Sequence, residues 1–182
     1  MSLAVVYSRA SVGIDAPLIT VEVHLSNGLP CFNLVGLPEA SVREAKDRVR
    51  SALINSGFEF PAKRITVNLA PADLPKEGGR FDLAIAIGII AASNQLSSNQ
   101  LENIELVGEL ALSGEIRSIT GALPFTYACS QANRIAILPV DNAAEASLIK
   151  HAKIVPANQL LDVFHHIAGQ QTLALYQAQS IE

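Results

Sequence analysis

Ala70-Pro71-Ala72-Asp73-Leu74-Pro75-Lys76-Glu77-Gly78-Gly79-Arg80, followed by Phe81-Asp82-Leu83-Ala84-Ile85-Ala86-Ile87-Gly88-Ile89-Ile90-Ala91-Ala92, is the stretch around which the chain must be organised. Two prolines and two glycines in its polar half cannot continue the β-branched segment 65–69, so the chain turns there. The apolar half carries large side chains on every face of a helix rather than on one stripe, which predicts a helix buried all round. Gly88 inside that helix should cost about 1 kcal/mol against alanine and therefore predicts close backbone approach to a strand. Asp82 falls in the first turn, where a carboxylate meets free amides and the positive end of the helix dipole. A membrane span would need about 20 apolar residues, and this run is closed off by Arg80, Asp82 and Ser93-Asn94.

Composition sets the frame for that helix. With 182 residues, 49% hydrophobic and 16% charged, the chain has enough apolar surface for one packed core and is not a disordered one. A net charge of −4 excludes a broadly basic nucleic-acid surface, so any contact with nucleic acid would have to be local. Cys31 and Cys129 lack metal-site spacing and read as buried reduced thiols. No basic region followed by an apolar core opens the chain, so a cytoplasmic location is expected.

Working outward, residues 4–8 form a β-rich run and residues 19–25 alternate apolar and polar as a half-buried strand, with His24 on the polar face. Ser26-Asn27-Gly28 reads as a hairpin turn, with 31–35 returning as the partner strand. Pro38 opens a helix through about residue 56, with Val42, Ala45, Val49 and Ala52/Leu53 on one stripe and Gly57 as its stop. Its Arg43/Asp47 and Glu44/Arg48 pairs read as a solvated face. Strand 65–69, the glycine-containing loop and the helix are the ingredients of a phosphate site. Neither Gly-x-x-x-x-Gly-Lys-Ser/Thr nor Gly-x-Gly-x-x-Gly occurs, however, so the loop reads as a structural turn. Residues 104–112 and 115–119 flank Ser113-Gly114 as another hairpin. Helix 123–132, strand 135–138, helix 143–151, strand 153–155 and helix 159–168 then alternate as α/β units. His165-His166 answer the last helix's dipole rather than a metal. Residues 170–182 lose the apolar pattern and read as a linker or tail after a domain at 1–169.

Val35-Gly36-Leu37-Pro38, Arg48-Val49-Arg50, Asn55-Ser56-Gly57-Phe58 and the unbroken run from Arg64 through Ala70-Pro71-Ala72-Asp73-Leu74-Pro75-Lys76-Glu77-Gly78 resemble the N-terminal domain of the magnesium-chelatase-like AAA+ ATPases of the bacterial competence type, the ComM/YifB family. The likeness covers roughly residues 4–169. It implies an α/β fold with a mixed sheet, of the ribosomal protein S5 domain 2-like class, similar to the proteolytic domain of Lon and the C-terminal domain of RadA. It also implies a longer parent whose later modules bind ATP and magnesium, working as a hexameric DNA helicase in branch migration. The partners implied are the chain's own AAA+ module, further copies of itself and DNA, with no membrane and no cofactor in this part.

The likeness to Lon raises a Ser-Lys peptidase, in which a lysine activates a serine just before the buried helix. Where Lon has Gly-Pro-Ser-Ala-Gly, this chain has Gly79-Arg80-Phe81-Asp82-Leu83, with no serine or threonine between Leu74 and Ala92. Where Lon has Gly-Gly-Leu-Lys, it has Gly121-Ala122-Leu123-Pro124. The leading reading is thus a non-catalytic module assisting ring assembly or DNA engagement, against a peptidase-like domain or a free-standing binding module. Lys76 and Arg80, sharing one loop with Glu77, Gly78 and Gly79, are the candidate contacts to DNA or a neighbouring protomer. Lys63 and Arg64 lie at the other end of the strand. Gly78, Gly79, Gly88 and Asp82 are expected to be structural.

Overall fold

A computed structural model describes residues 2–36 and 38–177. Nine strands and six α-helices alternate in it: β1 (Ser2–Arg9), β2 (Leu18–Ser26), β3 (Cys31–Val35), α1 (Ala40–Arg43), α2 (Ala45–Asn55), β4 (Arg64–Ala70), α3 (Asp82–Ala92), β5 (Ile104–Leu106), β6 (Glu109–Leu110), β7 (Ile116–Arg117), α4 (Ala122–Gln131), β8 (Ile135–Pro139), α5 (Ala143–Ala146), β9 (Ile154–Ala157) and α6 (Leu160–Ile167). Seven strands form one mixed sheet in the order β3-β4-β2-β1-β5-β8-β9, and β6 and β7 form a separate ribbon. The β4-β2-β1 pairings are antiparallel and the others in the sheet are parallel. The α/β class expected from the sequence is the one found.

The expected hairpin between 19–25 and 31–35 does not form. β4 inserts between them, pairing antiparallel with β2, while β3 runs parallel to β4 at the sheet's edge. The reason lies in the side chains. Ile65, Val67 and Leu69 of β4 are wholly buried and extend the apolar row of Val21, Val23 and Leu25, whereas Phe32 and Leu34 of β3 are only half-buried. Cys31 is correspondingly exposed, contrary to the expectation of a buried thiol; Cys129 is buried, and burial drives its pKa upward.

All eleven residues of α3 are buried. The helix lies across β1 and β2, and a Cβ at Gly88 would sit 2.6 Å from Val23 Cγ2, so only glycine lets this helix approach the sheet so closely. β8 alternates beneath two layers. Ile137 joins the main core, while Ala136 and Leu138 join Val107, Phe125 and Cys129 in a second cluster under α4 and α5. The expected helix 38–56 is divided at Glu44 into α1 and α2, and 143–151 holds only the short α5. The expected strand 104–112 is split as well. After β5 the chain crosses the start of α3, where the Gly108 amide donates to the Arg80 carbonyl and the Gly108 carbonyl accepts from the Leu83 amide.

The segment read as a linker or tail is hydrogen-bonded to the domain where it is described. The Leu173 amide donates to His166 Nδ1 at 2.9 Å and the Tyr176 amide to the Ile154 carbonyl at 2.8 Å. His166 therefore serves this segment as an acceptor, and its burial lowers its pKa. Residues 178–182 lie outside the described residues. Among the described residues no helix is long and apolar enough to cross a membrane.

Candidate functional site

Residues 71–81 cross from the end of β4 to the start of α3 without regular structure, so their carbonyls need donors from elsewhere. Lys76 supplies one of them, to Pro71, and reaches outside the loop to Gly36. Its side chain is fully buried, and Nζ donates to the Gly36 carbonyl at 2.6 Å and to the Pro71 carbonyl. Burial lowers the pKa of this ammonium, with Asp73 opposing in part. Arg80, 6% exposed, ties the loop to two distant segments: Nε donates to the Arg9 carbonyl at 2.9 Å and Nη1 to the Thr120 carbonyl at 2.8 Å. Burial pushes its guanidinium down to about 10, still a cation at neutral pH. The structure thus corrects the placement of both candidates, which the two nearby glycines suggested to be on a solvated loop. Gly78 takes φ +72°, and a Cβ at Gly79 would run into the Glu109 side chain at 2.5 Å.

Asp82 does not cap its own helix. Its carboxylate accepts Arg48 Nε at 2.7 Å, Arg48 Nη2 at 3.1 Å and the Leu110 amide at 3.1 Å, tying α2, α3 and β6 together. Burial pushes Asp82 up to about 6 despite the bonds from Arg48 and Leu110, which pull the other way. The same hydrogen bond raises Arg48 above its ordinary value. Arg48, expected on a solvated face, turns inward to this carboxylate and keeps only a 3.5 Å contact to Glu44. The expected Arg43/Asp47 pair is not among the ion pairs of the described residues.

A cleft of about 360 Å³ opens in front of α3, lined by Ser11, Gly79, Arg80, Glu109, Ser118 and Thr120 among others. A hydroxyl nucleophile needs a base within hydrogen-bond reach. Among the described residues no hydrogen bond joins a serine or threonine hydroxyl to a lysine; Lys76 has its ammonium committed to two carbonyls on the other side of the loop. What joins the start of α3 to the chain leading into α4 is Arg80, through the Thr120 carbonyl. These are the two places where the likeness to Lon would set serine and lysine. The arrangement clamps the loops together.

Lys63 and Arg64 stay exposed at the far end of β4 and share nothing with Lys76 and Arg80. Sequence reasoning missed a second buried charge centre. Glu105, fully buried in β5, accepts from Arg9 at 2.5 and 3.0 Å and from Arg134 at 3.2 Å, and Arg134 stacks 4.1 Å from the Tyr7 ring centre. Its signal was an acidic residue inside the apolar run Ile104-Glu105-Leu106-Val107, where a charge is retained only if paired.

Residues 21–142, from β2 to the turn before α5 and including every named wall of the cleft except Ser11, match the family model described as subunit ChlI of Mg-chelatase. The chain belongs to this family. Curated relatives include competence protein ComM of Haemophilus influenzae, 59% identical over 96% of this chain and 34% of that protein. The YifB protein of Salmonella typhimurium is 55% identical over 95% of this chain and 34% of its own length. A Mycobacterium bovis protein is 40% identical over 82% of this chain and 30% of its own. The chain spans about a third of the length of the relatives it matches. For the ChlI family member described here, the loop with Lys76 and Arg80 is therefore inside the shared stretch, and Lys63 and Arg64 are as well.

Proposed function

We propose that this chain is the non-catalytic N-terminal module of a cytoplasmic, competence-type AAA+ ATPase, and that it serves assembly of a homo-oligomeric ring or engagement of DNA. The observation that carries this reading is the Arg80 clamp: the place a hydrolase would use for its nucleophile and base holds a guanidinium bound to two backbone carbonyls. The high identity to ComM over one third of that protein supports a part played within a longer machine. A nucleoside triphosphate and magnesium belong to the other modules, because this chain has no glycine-rich Lys-Ser/Thr loop and Lys76 points its ammonium away from the surface.

Two measurements test the proposal. The purified chain should hydrolyse neither ATP with magnesium nor an unfolded polypeptide, and turnover that survives repurification would overturn it. Deleting the domain from the natural full-length protein should impair ring formation or branch migration; an intact ring with unchanged DNA processing would remove the module from the machine's function.

A further inference from the structure

On the opposite side of α2 from Asp82, the chain builds a groove whose chemistry differs from the cleft in front of α3. Lys46 and Arg50, one helical turn apart on α2, form one wall, and Lys63 stands on the facing segment before β4. The walls also carry Phe32 and Phe60, stacked with ring centres 6.0 Å apart and planes 25° from parallel. The Arg50 guanidinium lies 5.4 Å from the Phe60 ring centre, a flat cation over a flat ring at the edge of the opening. None of the three cations is in an ion pair among the described residues, and Asp47 is the one acidic residue lining the groove there. Three cations against one carboxylate make this a local basic site on a chain of net charge −4. Its volume is about 570 Å³, and a second groove of about 520 Å³ continues over the shared ridge 60–63.

We propose that this groove binds single-stranded nucleic acid, with phosphates on Lys46, Arg50 and Lys63 and a base against the Phe60–Arg50 pair. Unpaired cations along a concave path supply the backbone attraction, and an aromatic face accepts any base by stacking. A duplex presents its bases edge-on inside its own grooves and cannot lay one flat against a ring lining this groove. An acidic peptide would satisfy the cations and leave the aromatic pair unused. The inference deepens the DNA-engagement side of the proposed function, although binding by this chain needs no ATPase module.

Fluorescence anisotropy with labelled oligo-dT and oligo-U, titrated with the 182-residue chain across about 50–200 mM salt, tests it. Each groove cation replaced by alanine should lower the logarithmic salt slope by about 0.7, so Lys46→Ala/Arg50→Ala/Lys63→Ala should lose about two units of slope and about tenfold or more in affinity. Phe60→Leu, which keeps the apolar volume filled, should weaken binding without changing the slope, and Lys150→Ala, outside the groove, should change neither. Preference for one of the two oligonucleotides identifies the ligand as DNA or RNA. No binding by the wild-type chain, wild-type binding by the triple variant, or equal affinity for a polyglutamate peptide of matched charge would overturn the assignment. If the chain binds no oligonucleotide while deleting the domain still breaks the full-length ring, the groove falls and the module reading stands.

Discussion

Lys76 and Arg80 lie on one loop and both are buried, whereas Lys46, Arg50 and Lys63 come from α2 and the segment before β4 and converge at the surface. The difference lies in what surrounds them. From the loop 71–81 two long cationic side chains fold inward onto backbone carbonyls, Lys76 onto Gly36 and Pro71 and Arg80 onto Arg9 and Thr120, and bury their stems. Lys46 and Arg50 on α2 and Lys63 just before β4 make no side-chain hydrogen bond or ion pair among the described residues and remain free for an external partner. A charge beside glycines thus became part of the scaffold, and charges on α2 and on the bend before β4 became the available surface.

The largest expected effect on the interior side of that contrast comes from removing Asp82, the carboxylate that holds a third inward-turned cation, Arg48. Asp82→Ala leaves Arg48 half-desolvated and the Leu110 amide without its acceptor, and should cost about 3–5 kcal/mol in denaturant unfolding. Asp47→Ala, at the groove, should stay within about 0.5 kcal/mol. Equal midpoints for the two variants would show that the buried carboxylate, with its Arg48 pair, carries no more than the exposed carboxylate of Asp47.

The same residue sharpens the comparison through pH. The folded pKa of Asp82, about 6, lies above the value near 3.9 of an unfolded chain, so the native state binds this proton more tightly. Its contribution is therefore fully present below about pH 4 and is lost as pH rises through about 6, a change of at most about 3 kcal/mol. The stability difference between wild type and Asp82→Asn should shift in that direction between pH 4 and 7. A flat difference would mean that the Arg48 bonds hold the carboxylate at its ordinary value.

Much of this architecture was legible in the residues, and the exceptions share a cause. The buried helix was readable because apolar side chains on every face permit only one environment, and the alternation of 19–25 and 65–69 fixed two strands. Their neighbours were not readable. Ser26-Asn27-Gly28 announces a turn but cannot say that β4, whose Ile65, Val67 and Leu69 are fully buried, will take the place beside β2. Arg48 looked solvated because its i, i+4 partner Glu44 is local, while its stronger partner Asp82 lies 34 residues away. Arg80 and Lys76 were misplaced for a related reason: their acceptors are backbone carbonyls, all but that of Pro71 contributed by distant segments, and a carbonyl leaves no trace in a sequence. The groove was half visible, since Lys63 was singled out, but Lys46, Arg50 and Phe60 join it only through the fold.

A smaller effect is expected at Lys76 itself. Lys76→Met keeps most of the buried stem and removes the donors to Gly36 and Pro71, which should cost about 1–3 kcal/mol as two carbonyls lose their partner. A midpoint equal to wild type would show that water replaces the ammonium at both carbonyls.

The smallest effect belongs to the groove, and it decides whether its cations are free in the sense argued above. Lys46 and Lys63 make no ion pair among the described residues, and exposed substitutions of this kind stay within about 0.5 kcal/mol. Arg50 adds the contact with Phe60, worth about 0.5–1 kcal/mol at an exposed site. Removing three like charges from one groove also relieves repulsion among them, most of all at low salt. Lys46→Ala/Arg50→Ala/Lys63→Ala should therefore unfold within about 1 kcal/mol of wild type, with the gap largest at high salt, where the repulsion is screened in both proteins and only the lost stacking remains. Calorimetric or denaturant midpoints at two ionic strengths measure this directly. A loss above about 2 kcal/mol would place these cations with Lys76 and Arg80 in the scaffold, and the distinction between an interior set and a presented set would no longer hold.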